Sequence, residues 1–326
     1  MKTAIISFAI SFVLTVILGK FLIPVLKSIK MGQKILDIGP RWHKSKEGTP
    51  TMGGIFFAGG VTAALVVFAV MAIRGGESIS ELVINFIFVL LCGLTGFIDD
   101  FAKFVHKQNK GLTAIQKLIL QFASAAAYVF AVNAGKVSDT SVALPFTESR
   151  LELGIFYYVL LITGIVFTVN SVNLTDGIDG LAASVTTVAC VFLGAVCFRT
   201  ENMAALALAA AVCGGCLGFL VYNFYPAKVF MGDTGSLFLG GVVSCIAVWL
   251  DMPLILVFVG IIYYAEAISV VLQVASFKLF KKRIFKMSPI HHHFEMCGWN
   301  EIKIVGVFSF VTLVFSAIGS YGFLIA

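Results

Sequence analysis

Charge is scarce in this chain. Asp, Glu, Lys and Arg make up 12% of its 326 residues, about half the roughly 25% of an ordinary soluble domain. Hydrophobic residues account for 59%, against about 45–50% in such domains. A soluble fold could not hide that much apolar surface behind so few charges, and a disordered chain has the opposite balance. The same composition excludes nucleic-acid binding as a main task; the net charge of +6 is a topology signal, with attraction to anionic headgroups or a phosphorylated substrate as a second contribution. The seven cysteines exclude a disulfide scaffold: Cys92, Cys190, Cys197, Cys213, Cys216 and Cys245 all fall within apolar runs. Cys213 and Cys216 form a CxxC beside Gly214, Gly215 and Gly218, a composition suited to close helix packing rather than redox chemistry. No repeat, low-complexity tract or soluble domain is present. A polytopic membrane protein remains.

A spanning helix needs about 20 mostly apolar residues. Runs of this kind lie near 3–26, 51–73, 81–101, 113–133, 153–171, 179–198, 203–222, 235–251, 254–276 and 303–325. They predict an all-α, polytopic integral membrane protein of about ten transmembrane helices, forming one domain over residues 1–326. The first run follows Lys2 but lacks a small-residue cleavage site, so it is expected to be retained. The loops 27–50, 102–117, 223–235 and 277–303 hold 17 of the 23 Lys and Arg. That side is expected to be cytoplasmic, with both termini outside. The outward loop 134–152 is long enough for a small hairpin.

Nearly all the acidic and histidine residues of interest fall at the cytoplasmic ends of helices. A charge at the bilayer centre costs at least about 2.5–3.5 kcal/mol, and an interfacial position avoids that cost while staying beside a lipid headgroup. Five segments stand out. In residues 39–54, Thr49 and Thr51 can cap a helix beginning near Met52, or Lys44 and Lys46 can meet phosphate. In 96–117, Asp99 and Asp100 point about 100° apart on a helix and are expected to serve different partners. Lys103 lies one turn from both, and Lys110 and Lys117 add positive charge. This mixture suits a diphosphate with Mg²⁺, and equally a solvated helix end. In 170–182, Asn170, Asn173, Asp176 and Asp179 recur every three residues and share a face if the segment is helical. Amides and carboxylates of this kind suit a nucleobase or ribose.

In 223–241, Gly232-Asp233-Thr234-Gly235-Ser236 opens a helix, where free N–H groups favour anions; Asp233 can also be a plain N-cap. In 283–299, adjacent His291, His292 and His293 cannot all reach one metal, and phosphate contacts suit them better. Upstream, Phe277–Lys286 alternates apolar and basic residues and predicts an amphipathic helix lying on an anionic leaflet. Glu266 is the exception, an intramembrane carboxylate with Gln273 two turns on; a site-lining role is the default expectation, the alternative being a carboxyl paired or neutral within the bundle.

Taken in order, KEGTPTMGG (46–54), GFIDDFAK (96–103), NKGL (109–112), NLTDGIDGLA (173–182), FMGDTGSLFLGG (230–241) and SPIHHHFE (288–295) closely resemble the phospho-N-acetylmuramoyl-pentapeptide-transferase family. That family belongs to the polyprenyl-phosphate N-acetylhexosamine-1-phosphate transferases. The resemblance spans essentially the whole chain. It implies a transferase of the bacterial plasma membrane that makes lipid I and UMP from UDP-N-acetylmuramoyl-pentapeptide and undecaprenyl phosphate, with Mg²⁺, as a homodimer. It also implies site roles. Asp233 would hold the metal, Asp99 would orient the lipid phosphate or act as its base, and Asp100 would support the site. Lys117, His291, His292 and His293 would hold phosphate, with His291 in the catalytic set. Asn173, Asp176, Asp179, Asn223 and Phe230 would form the nucleoside pocket, and Lys46 and Thr51 would be active-site residues. Lys103, Lys110, Asn170 and Gln273 complete the expected substrate-binding set. The nearest rival is a sister transferase using another UDP-N-acetylhexosamine. A transporter is a rival of a different class, but it would have its ionisable groups near the midplane.

Overall fold

The computed structural model describes residues 1–29, 46–106, 111–134 and 140–325. Ten helices in these residues are long and apolar enough to cross a membrane: α1 (Lys2–Ser28), α2 (Gly54–Arg74), α3 (Ser80–His106), α4 (Ala114–Asn133), α5 (Ile155–Thr175), α6 (Leu181–Arg199), α7 (Met203–Asn223), α8 (Gly232–Trp249), α10 (Ile261–Phe280) and α12 (Glu301–Leu324). The expectation of ten spans is met. Between α4 and α5, β1 (Ser141–Ala143) pairs antiparallel with β2 (Arg150–Glu152), which makes the small hairpin expected in that loop. The ninth apolar run is broken rather than continuous: a 3-10 turn at Pro253–Ile255 leads into the short α9 (Leu256–Val259), and the chain bends at Gly260 before α10.

Most of the helices show little amphipathicity, α3 being the main exception, because both of their surroundings are apolar: lipid outside, other helices inside. What distinguishes the inward faces is small size, since lipid tails offer no hydrophobic incentive for helices to associate. Helix α1 buries Ala4, Ser7, Ser11, Thr15 and Gly19 against α7, while Ile5, Val13, Ile17 and Phe21 face outward. Helix α8 is buried along almost its whole length and is surrounded by α2, α3, α5, α6 and α7. Its glycines sit where neighbours come closest, Gly240 on the Val169 backbone and Gly235 on Gly54. The central helix thus begins, at Gly232, where α2, α4 and α12 also begin and α3, α5 and α7 end. The described residues of all five segments singled out in the sequence come to this end of the bundle.

Two local expectations are corrected. Helix α2 starts at Gly54 and has no side-chain cap from Thr49 or Thr51. Its first N–H groups are satisfied by another loop: Gly53 donates to the Phe230 carbonyl at 2.9 Å and Gly54 to the Met231 carbonyl at 2.9 Å, while Phe230 donates back to Pro50 at 2.8 Å. The basic run Phe277–Lys286 is not an amphipathic helix. Helix α10 ends at Phe280, and residues 281–289 are non-helical, because Lys281 takes a left-handed conformation (φ 55°) that turns the chain.

Candidate active site

The site is organised by the contact of α3 with the start of α8. Gly96 makes it possible: a Cβ there would run into the Asp233 carbonyl. With the helices this close, Asp100, 4% exposed, reaches the first turn of α8. Its Oδ2 accepts from the Thr234 N–H at 2.9 Å and the Thr234 hydroxyl at 2.7 Å, and its Oδ1 from the Asp233 N–H at 3.3 Å. A carboxylate at a helix N-terminus satisfies free N–H groups and complements the helix dipole. Asp100 therefore caps α8 from a neighbouring helix.

Asp99 has other hydrogen-bond partners, although it shares Lys103 with Asp100. It accepts from the Leu112 N–H at 2.7 Å, and its Oδ2 lies 2.6 Å from Lys103 Nζ and 3.1 Å from Lys117 Nζ. Lys103 also approaches Asp233 Oδ2 at 3.1 Å and Asp100 Oδ1 at 3.5 Å. Lys117 pairs with Asp233 as well. Its position follows from a local signal, a capping box in which Thr113 accepts from the Gln116 N–H and the Gln116 side chain accepts from the Thr113 N–H. That box starts α4 and points Lys117, one turn in, at the aspartates. The other oxygen of Asp233 accepts from Asn173 Nδ2 at 3.0 Å, and the same amide donates to Ser236 Oγ at 2.8 Å.

Oxygen atoms of Asp99, Asp100 and Asp233 lie within 4.8 Å of one another. Three carboxylates on two helices are a hard-oxygen donor set of the type that Mg²⁺ takes, and two lysines beside them can hold phosphate oxygens. Asp176, at the end of α5, faces the same cluster. Burial pushes its carboxyl well above the usual carboxylate range, and the charges of Asp233, Asp100 and Asp179 add to the rise.

A second group of predicted residues ties loops together. Lys46 Nζ lies 2.8 Å from Asp179 and 2.6 Å from Glu301. Glu301, in the first turn of α12, also accepts from the Asp179 N–H at 2.9 Å. Asp179 Oδ2 accepts from Ala227 N–H at 2.8 Å. Asn223 bridges Gly180 N–H (3.1 Å) and the Val229 carbonyl (2.9 Å). These side chains fix the mutual positions of the 176–180 turn and the 224–231 loop, whose Phe230 ring is half-buried. Thr51 borders Gly232.

The histidines lie in α11 (Ile290–Met296), and each has its own setting. His291 is wholly buried. Its Nδ1 is 3.1 Å from Glu266 Oε2, off the line of a hydrogen bond, and its backbone N–H donates to the same oxygen at 3.4 Å. Glu266, the intramembrane carboxylate, is thus the partner of His291 rather than a wall of the aspartate cluster. The imidazole fills the space that a Cβ at Gly177 would take, next to Asp176. His292 pairs with Glu295 at 2.6 Å. His293 accepts from the Lys286 N–H at 3.1 Å.

The structure brings Asp99, Asp100, Lys103, Lys117, Asn173, Asp176 and Asp233 together. Asn170 is elsewhere: its amide exchanges hydrogen bonds with Gln121 of α4 at 2.6 and 3.4 Å, so the three-residue spacing does not carry it into the site. Gln273 binds the backbone of Ile284 and Phe285. Lys110, and Lys44 in the first loop, lie outside the described residues. Glu301, Thr234 and Ser236 were not anticipated. Thr234 and Ser236 sit in the GDTGS motif and could have been found there, but nothing local marks Glu301.

Comparison with known proteins gives a consistent result. A family model described as glycosyl transferase family 4 matches residues 82–251, and a phospho-N-acetylmuramoyl-pentapeptide-transferase signature matches 46–57. The chain is 48% identical to a phospho-N-acetylmuramoyl-pentapeptide-transferase of Clostridium novyi, over 98% of this chain and 96% of the relative. It is 46% identical to one of Clostridium botulinum, over 97% and 95%, and 43% identical to one of Clostridium kluyveri, over 98% and 99%.

Proposed function

The chain belongs to the phospho-N-acetylmuramoyl-pentapeptide-transferase family, and on that premise we propose that it transfers phospho-N-acetylmuramoyl-pentapeptide from its UDP carrier to undecaprenyl phosphate, forming lipid I and UMP. The observation that carries this reading is the joining of Asp99, Asp233, Lys103 and Lys117 at one end of the bundle. One substrate is a water-soluble diphosphate, and the other is a phosphate on a chain too apolar to leave the bilayer. Their meeting point has to be interfacial, where carboxylates and lysines are affordable. The enzyme works as a single-domain homodimer in the bacterial plasma membrane, with the site on the cytoplasmic face and both termini outside.

Asp233, with Asp99 beside it, is the residue that would hold Mg²⁺; the hard-oxygen donor set fits that ion. The bound ion supplies charge neutralisation on the diphosphate. Lys103 and Lys117 would move from carboxylate to phosphate oxygens as substrate arrives, and Asp99 orients the acceptor. No strong base is required of Asp99. A phosphate monoester, with a second pKa of about 6, is already largely dianionic at neutral pH, so positioning and electrostatics carry most of the rate. Asp233 has Asn173 on one oxygen and two lysines on the other, which supports a role as holder rather than nucleophile, and hence direct attack by the lipid phosphate. The nucleoside lies over the 176–180 turn, with Phe230 stacking on uracil.

A donor panel tests the proposal. Purified protein with undecaprenyl phosphate should release UMP from UDP-N-acetylmuramoyl-pentapeptide and not from UDP-N-acetylglucosamine. Turnover of the second donor alone would assign the chain to the sister activity.

A further inference from the structure

The stretch 277–286, the last turn of α10 and the turn that follows it, contributes no side chain to the aspartate–lysine cluster. Lys278, Lys281, Lys282, Arg283 and Lys286 fall within it, and no Asp or Glu occurs between Glu266 and Glu295. Apolar side chains alternate with these cations and stand open: Phe277 is 49% exposed, Leu279 73%, Phe280 70% and Ile284 55%. The segment is also held in a defined shape. Gln273 Oε1 accepts from the N–H groups of Ile284 (3.0 Å) and Phe285 (2.9 Å), and its Nε2 donates to the Phe285 carbonyl at 2.9 Å. Ser276 Oγ donates to the Lys282 carbonyl at 2.9 Å. Lys286 is tied to α11 through the Met296 carbonyl at 3.0 Å. The result is a hook, turned at Lys281 and laced back onto the helix it leaves.

Among the described residues no carboxylate pairs with Lys278, Lys281, Lys282 or Arg283. Cations without a carboxylate partner, Lys281 lying over the Phe277 ring at 5.9 Å, beside exposed Leu279 and Phe280 at the end of a membrane helix match the two layers of a leaflet surface: phosphate above, acyl chain below. A soluble anion would satisfy the cations but leave the apolar side chains in water. We infer that the hook 277–286 is a binding site for the headgroup of a bulk anionic phospholipid, with Lys281, Lys282 and Arg283 on the phosphate and Leu279 and Phe280 among the chains. The inference does not depend on which sugar phosphate the enzyme transfers.

The test uses the full chain in nanodiscs of phosphatidylcholine mixed with phosphatidylglycerol, with retained lipids counted by native mass spectrometry. Wild type should retain phosphatidylglycerol in preference to phosphatidylcholine. The variant with Lys281→Gln, Lys282→Gln and Arg283→Gln should lose that preference by roughly five-fold per cation removed, while its turnover in neutral detergent stays at the wild-type level. If the triple variant does not fold, Arg283→Gln alone should show the single-cation loss. Equal preference in wild type and variant overturns the inference. So does a variant that keeps its phosphatidylglycerol preference but no longer retains added undecaprenyl phosphate, since the hook would then belong to the acceptor lipid. Loss of an inorganic phosphate adduct alone would make it a soluble-anion site and overturn it too.

Discussion

Asp100 accepts two hydrogen bonds from Thr234, one from its backbone N–H at 2.9 Å and one from its hydroxyl at 2.7 Å. Its neighbour Asp99 meets α8 at Asp233, both directly and through the shared Lys103 and Lys117. Two adjacent and chemically identical residues are thus placed differently, one capping a helix and one between two lysines, where we propose that it orients the lipid phosphate. Asp100→Ala should lower the melting temperature of the purified protein, since each hydrogen bond to a charged group is worth about 1.5–3 kcal/mol. Asp99→Asn keeps an acceptor for the Leu112 N–H, and should retain the wild-type melting temperature while losing transfer. Equal destabilisation of the two variants would remove the distinction.

The approach of α3 to α8 depends on one missing side chain. Gly96→Ala introduces a Cβ that meets the Asp233 and Thr234 backbone. Overpacking of this kind costs about 1–3 kcal/mol, and separating the helices would pull Asp100 off its cap. Thermal unfolding together with UMP release checks this. A variant with wild-type stability and turnover would show that the contact is slack.

Asp176 should make stability fall as pH rises. Its folded-state carboxyl is raised above the unfolded value by burial and by Asp233, Asp100 and Asp179. Between the ordinary carboxylate value of about 3.9 and that raised value, the native state holds a proton that the unfolded chain has released, so stability declines with pH across the window. Below it both states are protonated and the penalty vanishes. Asp176→Asn removes the titration. Without added metal, the variant should be more stable than wild type at neutral pH, and the two should converge in acid. A stability difference that does not vary with pH would contradict the assignment.

The spans could be read directly because the bilayer imposes a length on every helix. The divergent use of Asp99 and Asp100 could be read from helical geometry alone. What could not be read depended on partners distant in sequence. Asn170 and Asn173 share a spacing and a residue type, yet one meets Gln121 of α4 and the other Asp233 of α8; which neighbouring helix each amide reaches is set by tertiary packing. Glu301 looks like an ordinary first-turn acid, and its partners Lys46 and Asp179 come from remote loops. The basic hook has the pattern of an amphipathic helix, but Gln273 and Ser276, on the preceding helix, bind its backbone instead.

Asp233 is where these elements converge, held by Asn173, Lys103 and Lys117. The most direct test is UMP release by purified wild type and Asp233→Asn, given UDP-N-acetylmuramoyl-pentapeptide and Mg²⁺, with and without undecaprenyl phosphate. Wild type should release UMP only when the lipid phosphate is present, and the folded variant should release none. Near-wild-type turnover by Asp233→Asn, or a stoichiometric burst of UMP from wild type without lipid, would contradict the proposal that Asp233 holds Mg²⁺ for a direct attack by the lipid phosphate.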